Sequence, residues 1–223
     1  MQNIVVFTGA GISAESGLGT FRDSGGLWEE YKIEDVATPE AFEKNPELVL
    51  NFYNLRRKQL LESEPNAAHI SLNKLSEKYK LHIITQNIDD LHERSGSKKV
   101  LHLHGKLIEA RSSIDDKIYP INGSELGIGD LCKKGSQLRP NVVWFGEEVP
   151  KMIDAISITK KADVFIVIGT SLNVYPAASL LNYTNNANRI ILIDPKAEEE
   201  RSIEVIKEKA TSAVPKLVEE LLQ

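Results

Sequence analysis

Four short runs, at residues 4–7, 81–84, 164–168 and 190–193, are almost wholly apolar and rich in Val and Ile. None alternates polar with apolar, so none can rest one face on water. Strands of this kind are buried on both faces, as in a parallel sheet covered by helices. Between the runs lie helical patterns with readable starts. Thr38-Pro39 and Asn45-Pro46 each place a capping side chain before a proline at the first helical position. Residues 46–63 then carry Leu48, Phe52, Leu55 and Leu60 at helical spacing, and 213–222 form a closing helix with Val214, Leu217, Val218, Leu221 and Leu222 inward. Strands alternating with helices imply an α/β fold built on a doubly wound parallel sheet, Rossmann-like in architecture. Residues 105–140 differ: they are polar, contain Gly123, Gly127, Gly129 and Gly135, and have no long apolar run. They read as a small insertion module packed beside the sheet.

The chain has 223 residues, long enough for a self-sufficient core. Lys and Arg number 27 against 32 Asp and Glu, a net charge of −5, which argues against nucleic acid as the main partner. The longest membrane-like run stops at Gly169, far short of the ~20 residues a spanning helix needs. The first residues lack the basic and apolar regions of a secretory signal. A single cysteine, Cys132, excludes an intrachain disulfide and any zinc site built on three or four cysteines. These features describe a reduced, cytoplasmic protein that binds neither nucleic acid nor membrane.

The first run leads into Gly9-Ala10-Gly11-Ile12-Ser13-Ala14, a G-x-G-x-x-A turn after a strand, where missing side chains let backbone approach a pyrophosphate. A plain tight turn has the same pattern. A dehydrogenase would next show a second strand ending in an acid about 20 positions on. That place holds Thr20-Phe21-Arg22-Asp23-Ser24-Gly25-Gly26, which cannot be a buried strand. The loop therefore suits a dinucleotide in a site unlike that of hydride transfer. Arg22 suits a phosphate, and equally an ordinary surface position.

Other strand ends are also polar. Thr85-Gln86-Asn87-Ile88-Asp89-Asp90-Leu91-His92 follows the second run, where open α/β sheets bind ligands, and its amides suit a ribose or a carboxamide. Asn87 or Asp89 would equally cap a helix. In Val100-Leu101-His102-Leu103-His104-Gly105, alternation puts both histidines on one face, and either could be structural. Gly169-Thr170-Ser171 is a further small-residue turn able to admit a phosphate or ribose.

Together these residues resemble a family. The run from Gly9 to Ser13, Thr20-Phe21-Arg22, Gln86-Asn87-Ile88-Asp89 and His104-Gly105 look like a sirtuin. Leu138-Arg139-Pro140, Val142 through Glu147, Gly169-Thr170-Ser171-Leu172 and Val174-Tyr175-Pro176 complete the set in the family's order. The resemblance implies one catalytic domain over 1–223. Its NAD-binding core would take about 1–30, 65–104 and 141–223, a small helical part about 31–64, and the insertion about 105–140. It implies an NAD-dependent protein-lysine deacylase that consumes NAD and acts on acylated lysine side chains. In such enzymes the acyl oxygen attacks the ribose carbon bearing nicotinamide, and an imidate to ADP-ribose forms. A histidine then activates a ribose hydroxyl, giving free lysine, nicotinamide and an O-acyl-ADP-ribose. By this resemblance His104 is the general base and Asn87 acts at the reacting ribose. NAD would be held by Gly9, Ala10, Gly11, Ala14, Thr20, Phe21, Arg22 and Trp28. Gln86, Asn87, Ile88 and Asp89, then Gly169, Thr170, Ser171, Asp194 and Ala210, would complete its site. Phe21 would shield the ribose carbon from water. Val143, Phe145, Gly146 and Val174 would contact the substrate.

The sequence departs from the family pattern twice. Many sirtuins hold a structural zinc on two Cys-x-x-Cys pairs in the insertion; here that interval contains only Cys132, so no zinc is expected and packing must hold the module. Asp194 stands where relatives often place asparagine. Composition alone reads Tyr53 and Arg56 as a surface tyrosine beside the basic cluster Arg56-Arg57-Lys58. Their spacing nevertheless puts them on one helix face, and Tyr53-x-x-Arg56 resembles the pair with which class III sirtuins read an acidic acyl group. Ala37 matches the small residue that widens their pocket. The expected chemistry is removal of succinyl and malonyl groups above acetyl. Protein mono-ADP-ribosylation and a non-catalytic NAD-sensing module are the alternatives.

Overall fold

The computed structural model describes residues 1–19, 30–170, 172, 174–199 and 202–223. Its largest element is a six-stranded sheet of β1 (Asn3–Thr8), β2 (Lys80–Thr85), β3 (Val100–His102), β7 (Val164–Ile168), β8 (Arg189–Ile193) and β9 (Glu204–Ile206). The order is β3-β2-β1-β7-β8-β9 and every pairing is parallel. The four apolar runs are its central strands. Ile4 and Val6 of β1 enter one buried cluster with α4 (Ala67–Lys74) and α7 (Ala210–Leu222), while Val5 and Phe7 enter another with α6 (Met152–Thr159). Both faces are covered, which is why these strands carry so few polar residues.

The helices between β1 and β2 begin as their caps dictate. α1 (Ile33–Val36) leads to α2 (Pro39–Lys44), where Thr38 Oγ1 accepts from the Ala41 amide at 3.1 Å. α3 (Pro46–Glu62) starts with Asn45 Oδ1 accepting from the Leu48 amide at 3.1 Å. A short helix α5 (Leu91–Arg94) follows β2.

The polar stretch after His104 folds as a second, antiparallel sheet in the order β5-β4-β6, from β4 (Gly105–Ser112), β5 (Ile118–Pro120) and β6 (Leu138–Val142). These strands escaped the sequence reading because their pattern is mixed: in β4, Leu107, Ala110 and Ser112 are buried between the half-buried Lys106, Glu109 and Arg111, while β6 buries the charged Arg139 beside Leu138. Cys132 is a core residue here, packed with Ala110, Leu126, Leu138 and Leu50 of α3. Among the described residues no group of His, Cys, Asp or Glu could hold a metal ion, and no helix is long and apolar enough to cross a membrane.

Side chains of α3 hold the module from below. Arg57, with no exposed surface, donates to the carbonyls of Leu107 (2.7 Å) and Ser124 (2.8 Å) and to Asn54 Oδ1 (2.8 Å). Asn54 bridges to the Leu126 amide and carbonyl at 3.0 and 3.1 Å. The root of the module is equally close. Gly105 has φ +81° and pairs with Val142, and any side chain there would collide with the Asn141 carbonyl.

Candidate active site

The chain leaves β1 toward β2 on one side and reaches β7 on the other, so the sheet's topological switch point lies between β1 and β7. Ligands of open α/β sheets bind at the carboxyl ends of strands there. Two loops meet at that place. After β1, Gly9 and Gly11 donate to the carbonyls of Ile168 (3.0 Å) and Gly169 (2.8 Å) beyond β7. A Cβ on Gly11 would stand 2.6 Å from Gly169 Cα, and one on Gly9 2.7 Å from Thr170 Cβ. Gly169 is itself at φ +61°, where a side chain would strike the Ile12 amide. Glycine is required because backbone packs on backbone, leaving a thin floor at the switch point.

Polar side chains converge on this floor. Ser13, two residues past Gly11, donates to Asp89 Oδ2 at 3.0 Å and accepts from Asn87 Nδ2 at 3.1 Å. His69 Nδ1 accepts from the Asn66 amide, so its Nε2 carries the proton and faces Ser13 Oγ at 3.5 Å. Asp89 also accepts from the Leu91 amide at 3.2 Å at the start of α5. Burial raises the Asp89 pKa, against the pull of the Leu91 amide, Ser13 and His102. Gln86 Nε2 donates to Thr170 Oγ1 at 2.9 Å, tying the β2 end to the β7 end. Ile88 turns away into the apolar cluster with Phe52, Tyr53 and Leu107, and its carbonyl accepts from the Leu107 amide at 2.8 Å.

The two histidines separate here. His102 Nδ1 bonds the Asn87 carbonyl (3.0 Å) and its Nε2 bonds Glu93 Oε1 (2.9 Å), so both nitrogens are spoken for. His104 Nδ1 donates to the Gln86 carbonyl at 2.9 Å, which leaves the lone pair on Nε2. Burial lowers the His104 pKa, with the Gln86 carbonyl pulling weakly the other way, so the ring is neutral at pH 7. A half-buried neutral imidazole with a fixed tautomer is fitted to accept a proton.

The His104 carbonyl accepts from the Val143 amide at 3.0 Å, and the Phe145 amide donates to the Ala37 carbonyl at 3.0 Å. The 143–146 segment thus lies beside the histidine and against the α1–α2 junction, turning at Gly146 with φ +89°. It is held by Glu147, which accepts from the Trp144 amide at 2.7 Å and from Arg139 in two parallel bonds of 2.7 and 2.9 Å. Ala37, Tyr53 and Trp144 are buried in one cluster, with Arg56 half-buried beside them. The Arg56 guanidinium is desolvated, which lowers its pKa, and feels the opposing charges of Tyr53 and Asp89.

Ala10 and Ala14 lie in the short turns between β1 and Glu15. Ala210 opens α7 beside them, since Glu15 Oε2 accepts from Thr211 Oγ1 at 2.5 Å. Asp194 closes β8 in a turn of its own, accepting from the Lys196 amide at 2.8 Å. Val174 is largely exposed, and none of its hydrogen bonds joins this group. Thr20, Phe21, Arg22, Trp28 and Ser171 lie outside the described residues. Sequence reasoning gave no role to Ser13, His69, Trp144 or Glu15. Position after the glycine turn could have flagged Ser13; the others act through contacts with elements distant in sequence.

A two-loop glycine floor at a switch point, ringed by amide, hydroxyl, carboxylate and imidazole groups, is the nucleotide site of an open α/β fold. The chain belongs to the Sir2 family, whose model matches residues 9–176. It is 50% identical over 226 residues to an NAD-dependent protein deacylase of Helicobacter pylori strain J99, covering 100% of this chain and 97% of that one. Its fold matches a Sir2 homologue in complex with NAD at a TM-score of 0.89 and 39% identity, over 99% of this chain and 89% of the other. A mutant Sir2 homologue in complex with 2′-O-acetyl ADP-ribose matches at a TM-score of 0.87 and 40% identity, over 99% and 92%. NAD is the co-substrate, and the glycine floor with its amide, hydroxyl and carboxylate ring suits its diphosphate and ribose.

Proposed function

We propose that this chain removes succinyl and malonyl groups from protein lysines in preference to acetyl, leaving nicotinamide and an O-acyl-ADP-ribose. It is an NAD-dependent protein deacylase, as its relatives are named. The observation that carries the acidic-acyl reading is the placement of Arg56: a desolvated guanidinium beside the buried Tyr53 and small Ala37, within electrostatic reach of Asp89. A guanidinium presents a planar fork of N–H donors that matches a carboxylate. The distal carboxylate of a succinyl or malonyl group fits it, gripped by guanidinium and phenol.

NAD brings the leaving nicotinamide and the acceptor ribose. The chain contributes position and proton transfer. Asn87, fixed by Ser13, and Asp89 orient the nicotinamide ribose. His104 Nε2 takes the proton of the attacking ribose hydroxyl, its tautomer held by the Gln86 carbonyl. Phe145 and Gly146 pair with the peptide beside the acyl-lysine. The NAD-binding core over about 1–30, 65–104 and 141–223, the helical part 31–64 and the zinc-free insertion 105–140 form one functional unit, working in the cytoplasm.

The test compares kcat/KM on succinyl- and acetyl-lysine peptides. The wild-type chain favours succinyl-lysine. Arg56→Met raises KM for the succinyl peptide tenfold to a hundredfold, since charge-assisted hydrogen bonds are worth about 1.5–3 kcal/mol, and loses far less on the acetyl peptide. Equal losses on both would make Arg56 structural.

A further inference from the structure

We infer that Trp144 is the residue that makes Tyr53 a reader of acidic acyl groups: its indole N–H occupies the acceptor side of the phenol, so that the phenol's own proton is left for a carboxylate in the acyl pocket. This rests on the acidic-acyl reading above and adds to it the residue that aims the hydroxyl.

Trp144 Nε1 lies 3.0 Å from Tyr53 Oη. An indole N–H can only donate, so the direction of this bond is fixed. The tyrosine oxygen is therefore the acceptor, and its own hydrogen must point elsewhere. Among the described residues that hydrogen meets no acceptor. Tyr53 is 1% exposed, so water does not freely solve the problem. A buried hydroxyl proton without an acceptor is costly, and a ligand that brings one gains the bond the protein withholds. Burial also pushes the Tyr53 pKa up to about 12, so the phenol keeps its proton at working pH.

The indole is locked in place. Arg139 stacks its guanidinium 3.4 Å from the Trp144 ring centroid while gripping both oxygens of Glu147. Glu147 in turn holds the Trp144 amide and accepts from Arg111 at 2.8 Å. Turning the ring would lose its stack on the anchored Arg139 guanidinium, so Trp144 presents one N–H in one direction. An acetyl group carries no second acceptor to use the released proton; succinyl and malonyl groups do. Trp144 thus acts through Tyr53 on selectivity.

The test is Trp144→Phe, which keeps an aromatic ring over Arg139 and removes the N–H. The succinyl-to-acetyl ratio of kcat/KM falls about three- to tenfold, carried by KM for the succinyl peptide. In the Tyr53→Phe background the same change leaves the ratio where Tyr53→Phe alone put it, because the hydroxyl it aims is gone. Should Trp144→Phe fail to fold, 3-benzothienylalanine at position 144 deletes only the N–H and carries the same expectation. A wild-type preference for succinyl with an unchanged ratio in these variants, or additive losses with Tyr53→Phe, overturns the role of Trp144 alone. A wild-type chain that favours acetyl overturns the acyl reading and this inference with it.

Discussion

His104 and His102 are two residues apart, and alternation gives no reason to choose between them. The difference lies in what the far nitrogen meets: Glu93 for His102, and no hydrogen-bond partner among the described residues for His104. The pH profile follows from the second case. His104 acts as a base only when neutral, and burial holds its pKa below the usual 6.5. The acidic limb of kcat/KM against pH therefore has its midpoint below 6.5, and the rate is level by pH 7, read with succinyl peptide under saturating NAD. His104→Ala loses about 10²–10⁴ in kcat while NAD still binds, measured by calorimetry. Near-normal turnover in that variant would remove His104 from the chemistry. At this scale the sequence was informative wherever a residue type is tied to a local motif, as with the glycine turn. It was silent where a role depends on a distant partner, as with Ser13 and Trp144.

Among elements, α3 carries the most and disguised the most. Its start was plain from Asn45-Pro46, and its apolar spacing was visible. The burial of Asn54 and Arg57 was not, because two polar residues three apart on a helix look like a wet stripe. They are instead the bonds that hold the module. Burial lowers the Arg57 pKa to about 10, with Glu125 opposing, a sign of how dry the site is. Arg57→Met keeps most of the volume but strands the carbonyls of Leu107 and Ser124 and leaves the Asn54 oxygen with the Leu126 amide alone. The loss is on the order of 3 kcal/mol, or roughly 6–12 °C in Tm for a chain of this size. Amide exchange should quicken most around Ser124 to Leu126. EDTA leaves the wild-type Tm unchanged; one zinc per chain by elemental analysis would overturn the metal-free account. The module's own strands were hidden because a three-stranded sheet of short strands, one of them burying a charged Arg139, leaves little periodic signal.

Across the whole molecule, buried histidines set the acid limit. His69 and His92 are fully buried, with ring centroids 4.9 Å apart. Burial lowers His69 to about 4 and, with His69 and His102 nearby, holds His92 well below its ordinary value. The unfolded chain takes up protons on both below pH 6.5, whereas the folded chain refuses them. Their stability contribution is complete above pH 6.5 and is lost as pH falls toward 4, by about 3 kcal/mol for His69 alone. Glu93 continues the loss at lower pH: burial opposes its charge, but His102 and Lys106 bring it to about 2. His69→Gln should flatten the denaturation midpoint against pH between 6.5 and 4 by one proton's slope, whatever it does to stability at pH 7. An unchanged slope would show that His69 titrates normally. The root of the small module sets another limit. Because the carbonyl of Asn141 fills the place of a side chain at Gly105, one residue from the proposed general base, the two sheets share a joint that borders the candidate site. A graft exchanging this module between relatives can cut beyond Ser112 and before Leu138, where only the tip is replaced. A cut at the joint must carry both sides together, because neither backbone leaves the other room to shift.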